Sequence, residues 1–413
     1  MKPQSVRGFR DVLPPDIEKF QKIESVACEL FERFGFDEIE TTYLEYEDVF
    51  SKSLGSDSEI VQKEMFTFVD SKGRKIALRP EGTASVVRTY IEQGLYAKGG
   101  EQRFYYIGPM FRHERPQKGR FRQFYQAGIE VLGDSGPRVD AEVCFILWQI
   151  VERLGIKKEV LLEVNSIGDE NCRPKYREAL IAYFKPKEYL LCDDCKKRLF
   201  TNPLRILDCK NESCRAIAQK SPVILDYLCE PCREHYEGFK KYLRLFGIPH
   251  IENPRIVRGL DYYTRTAFEL VSKERGYLGV LAGGGRYDGL VEIMGGPKTP
   301  AVGFALGIDR TAEYLKDAPA HVKPLVYLIP LGTEAEEFFI KRLRELGSLN
   351  IRLLIGEPAR PLKKQLELAD KVGASYAIIV GTNELESQKV ILKNLKAREQ
   401  FDLSWEKLKG QFS

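Results

Sequence analysis

GPMFRHERPQKGRFRQFYQAGIEVLG, residues 108–133, is the stretch of sequence that decides the fold. Aromatic and apolar segments at 104–107 and 125–132 flank its basic centre, and their composition predicts two strands. A long arginine-rich loop between strands is typical of a site that binds a polyanion such as ATP or RNA. Aromatic residues between the arginines suit stacking on a base, so the alternative, a solvated surface hairpin, is the weaker interpretation. The basic residues are Arg112, Arg115, Lys118, Arg120 and Arg122, and the aromatic ones include Phe121, Phe124 and Tyr125.

The composition of the whole chain limits the classes of protein to consider. Its 413 residues predict two or three domains, and the formal charge of +4 is too small to indicate nucleic-acid binding by itself. No apolar run approaches the ~18 residues of a membrane span, and residues 1–16 lack the apolar core of a secretory signal. We therefore expect a cytoplasmic protein with no membrane partner.

The order of predicted helices and strands indicates an α+β fold. Residues 17–34 have helical periodicity, 36–44 alternate like a strand, and strand-like runs recur through 57–132, at 160–164 and at 267–271. Helices without strict β-α alternation favour an antiparallel sheet flanked by helices. From residue 324 onwards, strands at 325–329, 351–355 and 376–380 alternate with helices, which predicts a separate α/β domain of βαβ type.

A cysteine-rich segment at 171–236 interrupts this pattern. Two CxxC pairs and a third close pair resemble the spacing of a zinc ribbon, so the sequence predicts a structural zinc site. Because a single tetrahedral zinc ion needs four ligands, either two of the six cysteines are spectators or the site is of another kind, and reduced thiols remain the alternative. The six are Cys192, Cys195, Cys209, Cys214, Cys229 and Cys232, whereas Cys28, Cys144 and Cys172 are expected to be buried or incidental.

Five segments in order resemble the class II aminoacyl-tRNA synthetases, in the form found in histidyl-tRNA synthetases. They lie at 7–11, 79–83, 108–133, 258–263 and 303–310, and RGLDYY at 258–263 is the most specific to that subgroup. The resemblance implies a catalytic domain at 1–322 with motif 1 at about 16–45, motif 2 at about 104–132 and motif 3 at about 302–315. It also implies that 171–236 is an insertion domain and that 323–413 is an anticodon-binding domain. Motif 1 implies a homodimer, although Thr42 stands where the family usually carries proline.

The resemblance also implies an ATP site. Arg112 would bind the α-phosphate and Arg258 would lie on its opposite side, so these two are the expected catalytic residues. The adenine ring would stack between Phe124 below it and Arg310 above it, with Glu114 nearby. Arg120 would reach the outer phosphates. Fixed cations suit a reaction in which charge develops as pyrophosphate leaves. ATP and Mg2+ are the implied cofactors.

The amino acid site implied by the resemblance is polar and specific. A neutral imidazole has one N–H donor and one acceptor nitrogen, which a carboxylate and a phenol complement. The implied imidazole partners are Glu130 and Tyr263, and the implied ammonium partners are Glu81, Thr83 and Gln126. Tyr262 is in the same segment as Tyr263. Tyr287 lies within residues 282–289, whose composition predicts a glycine-rich turn, and the resemblance implies that this turn closes the pocket.

The resemblance implies a histidine–tRNA ligase with histidine, ATP and histidine tRNA as partners. In the motif 2 loop, Arg115 and Gln117 would lie near the acceptor end of the tRNA. In the last domain, basic residues after a predicted turn at 381–386 would meet the anticodon stem: Lys389, Lys393, Lys396 and Arg398. The alternatives are the non-catalytic regulatory subunit of ATP phosphoribosyltransferase, which shares the catalytic fold, and another class II synthetase of prolyl or threonyl type.

Overall fold

A computed structural model of the chain describes residues 2–55, 58–115, 117, 119–256, 262–274, 279–315 and 323–412. The chain forms two compact units, Met1–Ala318 and Pro319–Ser413.

The first unit begins with the amphipathic helix predicted from the sequence. Pro15 precedes helix α1 (Asp16–Arg33), and its apolar residues Phe20, Ile23, Ala27 and Leu30 are buried. The elements that follow are β1 (Asp37–Glu38), β2 (Leu44–Tyr46), α2 (Glu47–Leu54), β3 (Thr67–Val69), β4 (Lys75–Leu78), α3 (Thr83–Glu92), β5 (Gln102–Phe111), β6 (Gln123–Leu132), α4 (Pro137–Arg153), β7 (Val160–Ser166), α5 (Arg173–Phe184), α6 (Asp193–Thr201), α7 (Glu212–Ala218), α8 (Glu230–Leu245), β8 (His250–Glu252), β9 (Thr264–Ser272), β10 (Val280–Arg286), α9 (Leu290–Ile293), β11 (Ala301–Gly307) and α10 (Ile308–Ala312). Short 3-10 turns lie at Leu95–Lys98, Lys185–Leu190, Pro203–Ile206 and Ile224–Tyr227, and a π-helical turn at Ile60–Glu64.

An eight-stranded sheet is the centre of this unit. Its strand order is β1-β5-β6-β11-β10-β9-β7-β8, and only the outermost pairs, β1–β5 and β7–β8, are parallel. The predicted antiparallel sheet flanked by helices is therefore confirmed. The single strand expected at 36–44 is wrong: Asp37–Glu38 pairs with the large sheet, whereas Leu44–Tyr46 joins β4 and β3 in a separate three-stranded sheet.

Apolar side chains cover both faces of the large sheet because neighbouring strand residues point to opposite sides. On β5, Tyr105 packs with α1 and α4, whereas Tyr106 packs on the other face with α3 and α9. The two layers hold the sheet rigidly, and the residues of motif 2 extend from its central strands.

The cysteine-rich segment has a core of its own. Helices α5, α6 and α7 enclose a cluster of buried residues that includes Tyr176, Leu180, Leu199 and Ile206. Helix α8 then returns to the sheet, where Phe239 and Leu243 join the main core.

The second unit is an α/β domain. Its elements are β12 (Leu325–Pro330), α11 (Thr333–Gly347), β13 (Arg352–Ile355), α12 (Leu362–Lys371), β14 (Tyr376–Val380), α13 (Thr382–Ser387), β15 (Lys389–Asn394), β16 (Glu399–Ser404) and α14 (Trp405–Gly410). Strands β13, β12 and β14 are parallel, which confirms the βαβ pattern. Strands β15 and β16 extend the sheet antiparallel, and the turn predicted at 381–386 is instead largely helix α13.

Candidate active site

The hairpin of β5 and β6 presents the basic loop. The two strands pair from Gln102↔Leu132 to Phe111↔Gln123, and the Arg112 amide then bonds the Arg122 carbonyl at 2.9 Å. The predicted pair of strands around a cationic loop is confirmed. Arg115 and Gln117 are exposed on this loop.

Charged groups from the loop and from α10 lie together at the mouth of a cleft. The Arg112 Nε donates to the Pro80 carbonyl at 2.8 Å, and its guanidinium lies 5.3 Å from the centre of the Phe124 ring. Arg120 donates to Glu114 at 3.1 Å. Arg310 on α10 contacts the carbonyls of Val280 and Gly119. Backbone and side-chain contacts thus fix three guanidinium groups before any anion binds.

Burial lowers the pKa of Arg310, and the nearby Arg120 charge lowers it further. Arginine nevertheless stays protonated in proteins, so this is a cation whose charge is poorly solvated. Such a group gains most when an anion binds beside it.

A second, deeper group of polar residues lies behind these cations. The Glu81 carboxylate accepts hydrogen bonds from the backbone amides of Thr83 and Ala84, at 2.7 and 2.8 Å, at the start of α3. The Thr83 hydroxyl donates to Glu130 at 2.6 Å, and the Tyr287 hydroxyl donates to the other oxygen of Glu130. The structure therefore brings together four residues that are as much as 206 positions apart in the sequence.

Glu130 is buried in β6, and burial raises its pKa to about 8. The Glu130 side chain fits here because the facing residue on the neighbouring strand is a glycine. Gly303 pairs with Glu130 across the ladder, and a Cβ at 303 would lie 2.0 Å from the Glu130 carboxylate. The glycine of motif 3 therefore makes room for the carboxylate of motif 2.

Further polar and aromatic groups line this inner pocket. Gln126 has a buried Oε1 without a hydrogen-bond partner among the described residues, and Tyr262 and Tyr263 are buried with their ring centres 4.6 Å apart. Tyr106 lies beside this pocket, and its buried hydroxyl interacts electrostatically with Glu81 and Glu130. The sequence analysis missed Tyr106 because it lies in an aromatic strand, where a core side chain is the ordinary expectation.

The pocket and the cleft are continuous. The inner pocket has a volume of about 170 Å3 and shares Arg112, Glu114, Arg120, Tyr263 and Arg310 with an outer cleft of about 1370 Å3. A small polar molecule in the pocket would thus lie next to a polyanion in the cleft.

Arg258 lies outside the described residues. The glycine-rich segment is not a turn, because residues 282–286 belong to strand β10 in the middle of the sheet. Its glycines permit close packing there: a Cβ on Gly284 would lie 2.4 Å from the Gly303 carbonyl and equally close to Phe268.

Two ion pairs that the sequence analysis missed, one fully buried and one partly buried, hold the site in place. Arg286, directly before Tyr287, is fully buried against Asp140 of α4. Burial opposes ionisation of Asp140, but Arg286 and a hydrogen bond with His235 hold its pKa at about 2. Arg10 pairs with Asp309 at 3.0 Å, which joins the amino-terminal segment to motif 3.

The cysteines form two groups, not one cluster of six. Ligand atoms of Cys192, Cys195, Cys209 and Cys214 all lie within 4.8 Å of one another. Cys229 and Cys232 belong instead to a second group with Asp169 and Cys172. The sequence left open which two of the six cysteines stand apart, because spacing cannot show that residues 57 positions apart meet. They are Cys229 and Cys232, and Cys172, expected to be buried or incidental, is buried beside Cys229.

Comparison with known proteins identifies the family. The family model for histidyl-tRNA synthetase matches residues 8–311, and the model for an anticodon binding domain matches residues 325–413. The chain belongs to the histidyl-tRNA synthetase family. This confirms the resemblance and the fold expected from it.

Relatives agree along the whole length of the chain. A histidine–tRNA ligase of Aquifex aeolicus is 47% identical over 397 residues, which cover 96% of this chain and 97% of that protein. One of Desulfatibacillum aliphaticivorans is 45% identical, covering 97% of this chain and 96% of that protein. The apo histidyl-tRNA synthetase of S. aureus matches with a TM-score of 0.82 at 36% identity, covering 100% of both chains.

Among the described residues of this synthetase-family chain, no helix has both the length and the apolar character needed to cross a membrane.

Proposed function

We propose that this chain is a histidine–tRNA ligase, which activates histidine with ATP to histidyl-adenylate and transfers histidine to the 3′ end of histidine tRNA. One observation carries the proposal: the buried Glu130, bonded to Thr83 and Tyr287, forms a polar pocket that opens onto a cleft of fixed arginines. Family membership supports the same conclusion.

The outer cleft is proposed as the ATP site. Arg112 would bind the α-phosphate, because its guanidinium is already oriented by the Pro80 carbonyl. The adenine would lie near Glu114, between Phe124 and Arg310, and Arg120 would reach the outer phosphates. The lining supports these roles, since Arg112, Glu114, Arg120 and Arg310 border both the outer cleft and the inner pocket, and Phe124 borders the inner pocket.

Electrostatic stabilisation of the transition state is the proposed basis of catalysis. Arg112 neutralises charge on the α-phosphate as the histidine carboxylate attacks and pyrophosphate leaves. Arg258 would act from the opposite side by resemblance to the family. Cations held before the reaction need no reorganisation when charge develops, which is where such groups lower the barrier most.

The inner pocket is proposed as the histidine site. Glu81, Thr83 and Gln126 would accept from the ammonium group, and the unpartnered Gln126 Oε1 is well suited to this. Glu130 would accept from one imidazole nitrogen, and Tyr263 would donate to the other. Tyr262 and Tyr287 would close the pocket around the ring. A substrate without two such nitrogens would leave buried polar groups unpaired, which penalises it strongly.

Magnesium is expected to enter with ATP. Mg2+ in such sites is bound by one or two carboxylates together with phosphate oxygens. The carboxylates of Glu64, Glu114 and Glu269 line the outer cleft and fit this need. The ion would supply charge neutralisation at the phosphates.

A structural zinc ion is proposed at Cys192, Cys195, Cys209 and Cys214. The sulfur atoms of Cys192 and Cys209 are 3.8 Å apart, and about 3.8 Å is the separation expected for two thiolates on a tetrahedral ion with bonds of ~2.3 Å. Cys195 and Cys214 are buried in the core of the insertion, and Cys192 and Cys209 also border the outer cleft. Four thiolates complete a tetrahedral coordination sphere and leave no open position for a substrate, so the ion would stabilise structure and take no part in the reaction.

Residues 323–413 are proposed to bind the anticodon region of the tRNA, and the exposed Arg115 and Gln117 of the first unit to approach its acceptor end. Lys389, Lys396 and Arg398 are exposed, and Lys393 is half-buried.

A homodimer in the cytoplasm is proposed as well. Exposed apolar residues on or beside the small sheet support an interface there: Leu44, Phe68 and Val69 on its strands, and Tyr43 directly before β2. The sedimentation mass of the full chain tests it.

Deleting residues 324–413 should separate the two half-reactions. Histidine activation should persist, because motifs 1–3 lie in the first unit, which has its own hydrophobic cores. Charging of histidine tRNA should fall much further, because the tRNA loses its second point of attachment. The measurement compares pyrophosphate exchange with aminoacylation for full-length and truncated protein.

Folding and dimer mass of the truncated protein are checked first by circular dichroism and sedimentation. Equal loss of both activities in a folded dimer would mean that the second unit supports the active site. Undiminished charging would remove its assignment as the anticodon reader.

A further inference from the structure

A second set of metal-ligand side chains lies at the root of the insertion. Asp169 and Cys172 stand at its beginning, and Cys229 and Cys232 stand at its end. One ligand atom from each of the four lies within 4.8 Å of every other. The sulfur atoms of Cys172 and Cys229 are 3.2 Å apart, and the Asp169 oxygens are 3.7 and 3.9 Å from the Cys229 sulfur.

The four groups suit one mononuclear tetrahedral ion once the Cys172 and Cys229 sulfur atoms, which are 3.2 Å apart, separate by about 0.6 Å on binding it. Thiolates on a zinc ion are expected about 3.8 Å apart, and a carboxylate oxygen is an accepted fourth ligand. A disulfide between Cys172 and Cys229 would account for only two of the four groups. It would not explain why the buried Cys232 thiol and the Asp169 carboxylate lie beside those two sulfur atoms.

We propose that Asp169, Cys172, Cys229 and Cys232 bind a second structural zinc ion, which closes the insertion at its root. The ion is distinct from the one proposed at the Cys192 group, since no residue is shared. The proposal stands independently of the enzymatic activity.

The backbone around the second site is arranged to present its ligands. Gly168 has φ of +62°, and a Cβ at that position would lie 2.8 Å from the Cys172 Cβ. The Cys229 amide donates to the Cys172 sulfur at 3.1 Å, and the Cys172 amide donates to Asp169 at 3.3 Å. Amide donors of this kind stabilise the charged ligand and fix its direction.

The same loop is bonded to the strand that follows the histidine-pocket tyrosines. The Gly168 carbonyl accepts from the Arg265 amide at 2.8 Å, and the Ile167 amide donates to the Arg265 carbonyl at 2.7 Å. Arg173, next to Cys172, donates to the Tyr263 carbonyl. The ion therefore positions the root of the insertion against β9, and it would hold Tyr263 in place indirectly.

Zinc content measured by mass spectrometry tests the proposal. Full-length protein purified under reducing conditions from zinc-supplemented cells should carry about two ions per chain. Cys172→Ser and Cys195→Ser should each carry about one, because each removes one site only. Cys28→Ser is the matched control, since Cys28 lies in helix α1 outside both groups, and it should keep both ions.

X-ray absorption of Cys195→Ser resolves the ligands of the remaining ion. The proposal requires three sulfur atoms and one oxygen or nitrogen atom. About one zinc per chain in the wild type, retained in full by Cys172→Ser, would overturn it, as would a native disulfide between Cys172 and Cys229. If the Cys192 group binds no metal, the wild type would carry one ion that Cys172→Ser loses, so the two proposals fail separately.

Asp169→Asn is the conservative variant should Cys172→Ser not fold. It should lose the second ion several-fold more readily to a chelator, and hydrogen exchange should quicken in residues 264–268 on loss of the ion. Unchanged zinc release and unchanged exchange in a folded Asp169→Asn protein would contradict the assignment of Asp169 and of the link to β9.

Discussion

Replacing Arg112 by alanine should slow histidine-dependent ATP–pyrophosphate exchange by about 10²–10³-fold, the usual loss for one preorganised electrostatic contact in a transition state. Arg112 is one of the cations held in place at the junction of the pocket and the cleft. Its side chain is only 21% exposed, and the Pro80 carbonyl fixes its direction. The loss should therefore fall mainly on kcat, with a smaller change in the KM for histidine.

Arg138→Ala is the matched control. Arg138 is a partly exposed arginine on α4 that pairs with Asp134 and Glu142, outside the two cavities. Its removal should leave exchange within about two-fold of the wild type, because surface ion pairs contribute little. A variant of Arg112 with unchanged kcat and a much higher KM for histidine would contradict its assignment to the phosphate.

Glu130→Gln should lower kcat/KM for histidine by about 10- to 150-fold, the range that corresponds to ~1.5–3 kcal/mol for a hydrogen bond to a charged group. Glutamine keeps the volume of the side chain but cannot offer the imidazole a carboxylate. The KM for ATP should change little, because Glu130 lies behind the cations. Glu252→Gln, at an exposed pair with Lys240, is the control and should have no effect.

The pH dependence of the Glu130 variant gives a further check. Burial raises the pKa of Glu130 to about 8 in the empty site, so the carboxyl is largely protonated at pH 6 and ionised at pH 9. The ionised form is the better acceptor, and the ratio of wild-type to Glu130→Gln activity should therefore rise between these pH values. Ionisation of free histidine affects both proteins alike and cancels in the ratio. A ratio that is flat or falls would contradict the role of Glu130.

Local pattern predicted the fold well where an element depends on its own residues. The apolar residues of α1 bury one face of the helix at a spacing visible in sequence, and the aromatic and apolar composition of β5 and β6 favours strands that are covered on both faces. The strand expected at 36–44 failed because its two ends pair with different sheets. Such a division depends on partners distant in the chain, which periodicity does not reveal.

The site could be predicted only through the family's motifs. Thr83 and Glu130 are 47 positions apart, and nothing in either segment alone shows that they bond. The glycine-rich segment at 282–289 was wrongly predicted to be a turn for a related reason. The run at 283–285 resembles a turn by composition, but the facing carbonyl of Gly303 and the ring of Phe268 are what exclude a side chain there. The constraint comes from neighbouring strands.

The central claim is that the pocket selects histidine for activation by ATP, and amino-acid-dependent ATP–pyrophosphate exchange tests it most directly. Each of the twenty amino acids is supplied in turn to the purified full-length protein. The account predicts strong exchange with histidine and none comparable with proline or threonine, because only an imidazole satisfies both Glu130 and Tyr263. Absent exchange in a folded dimer that instead binds a phosphoribosyltransferase, or exchange with another amino acid, would contradict it.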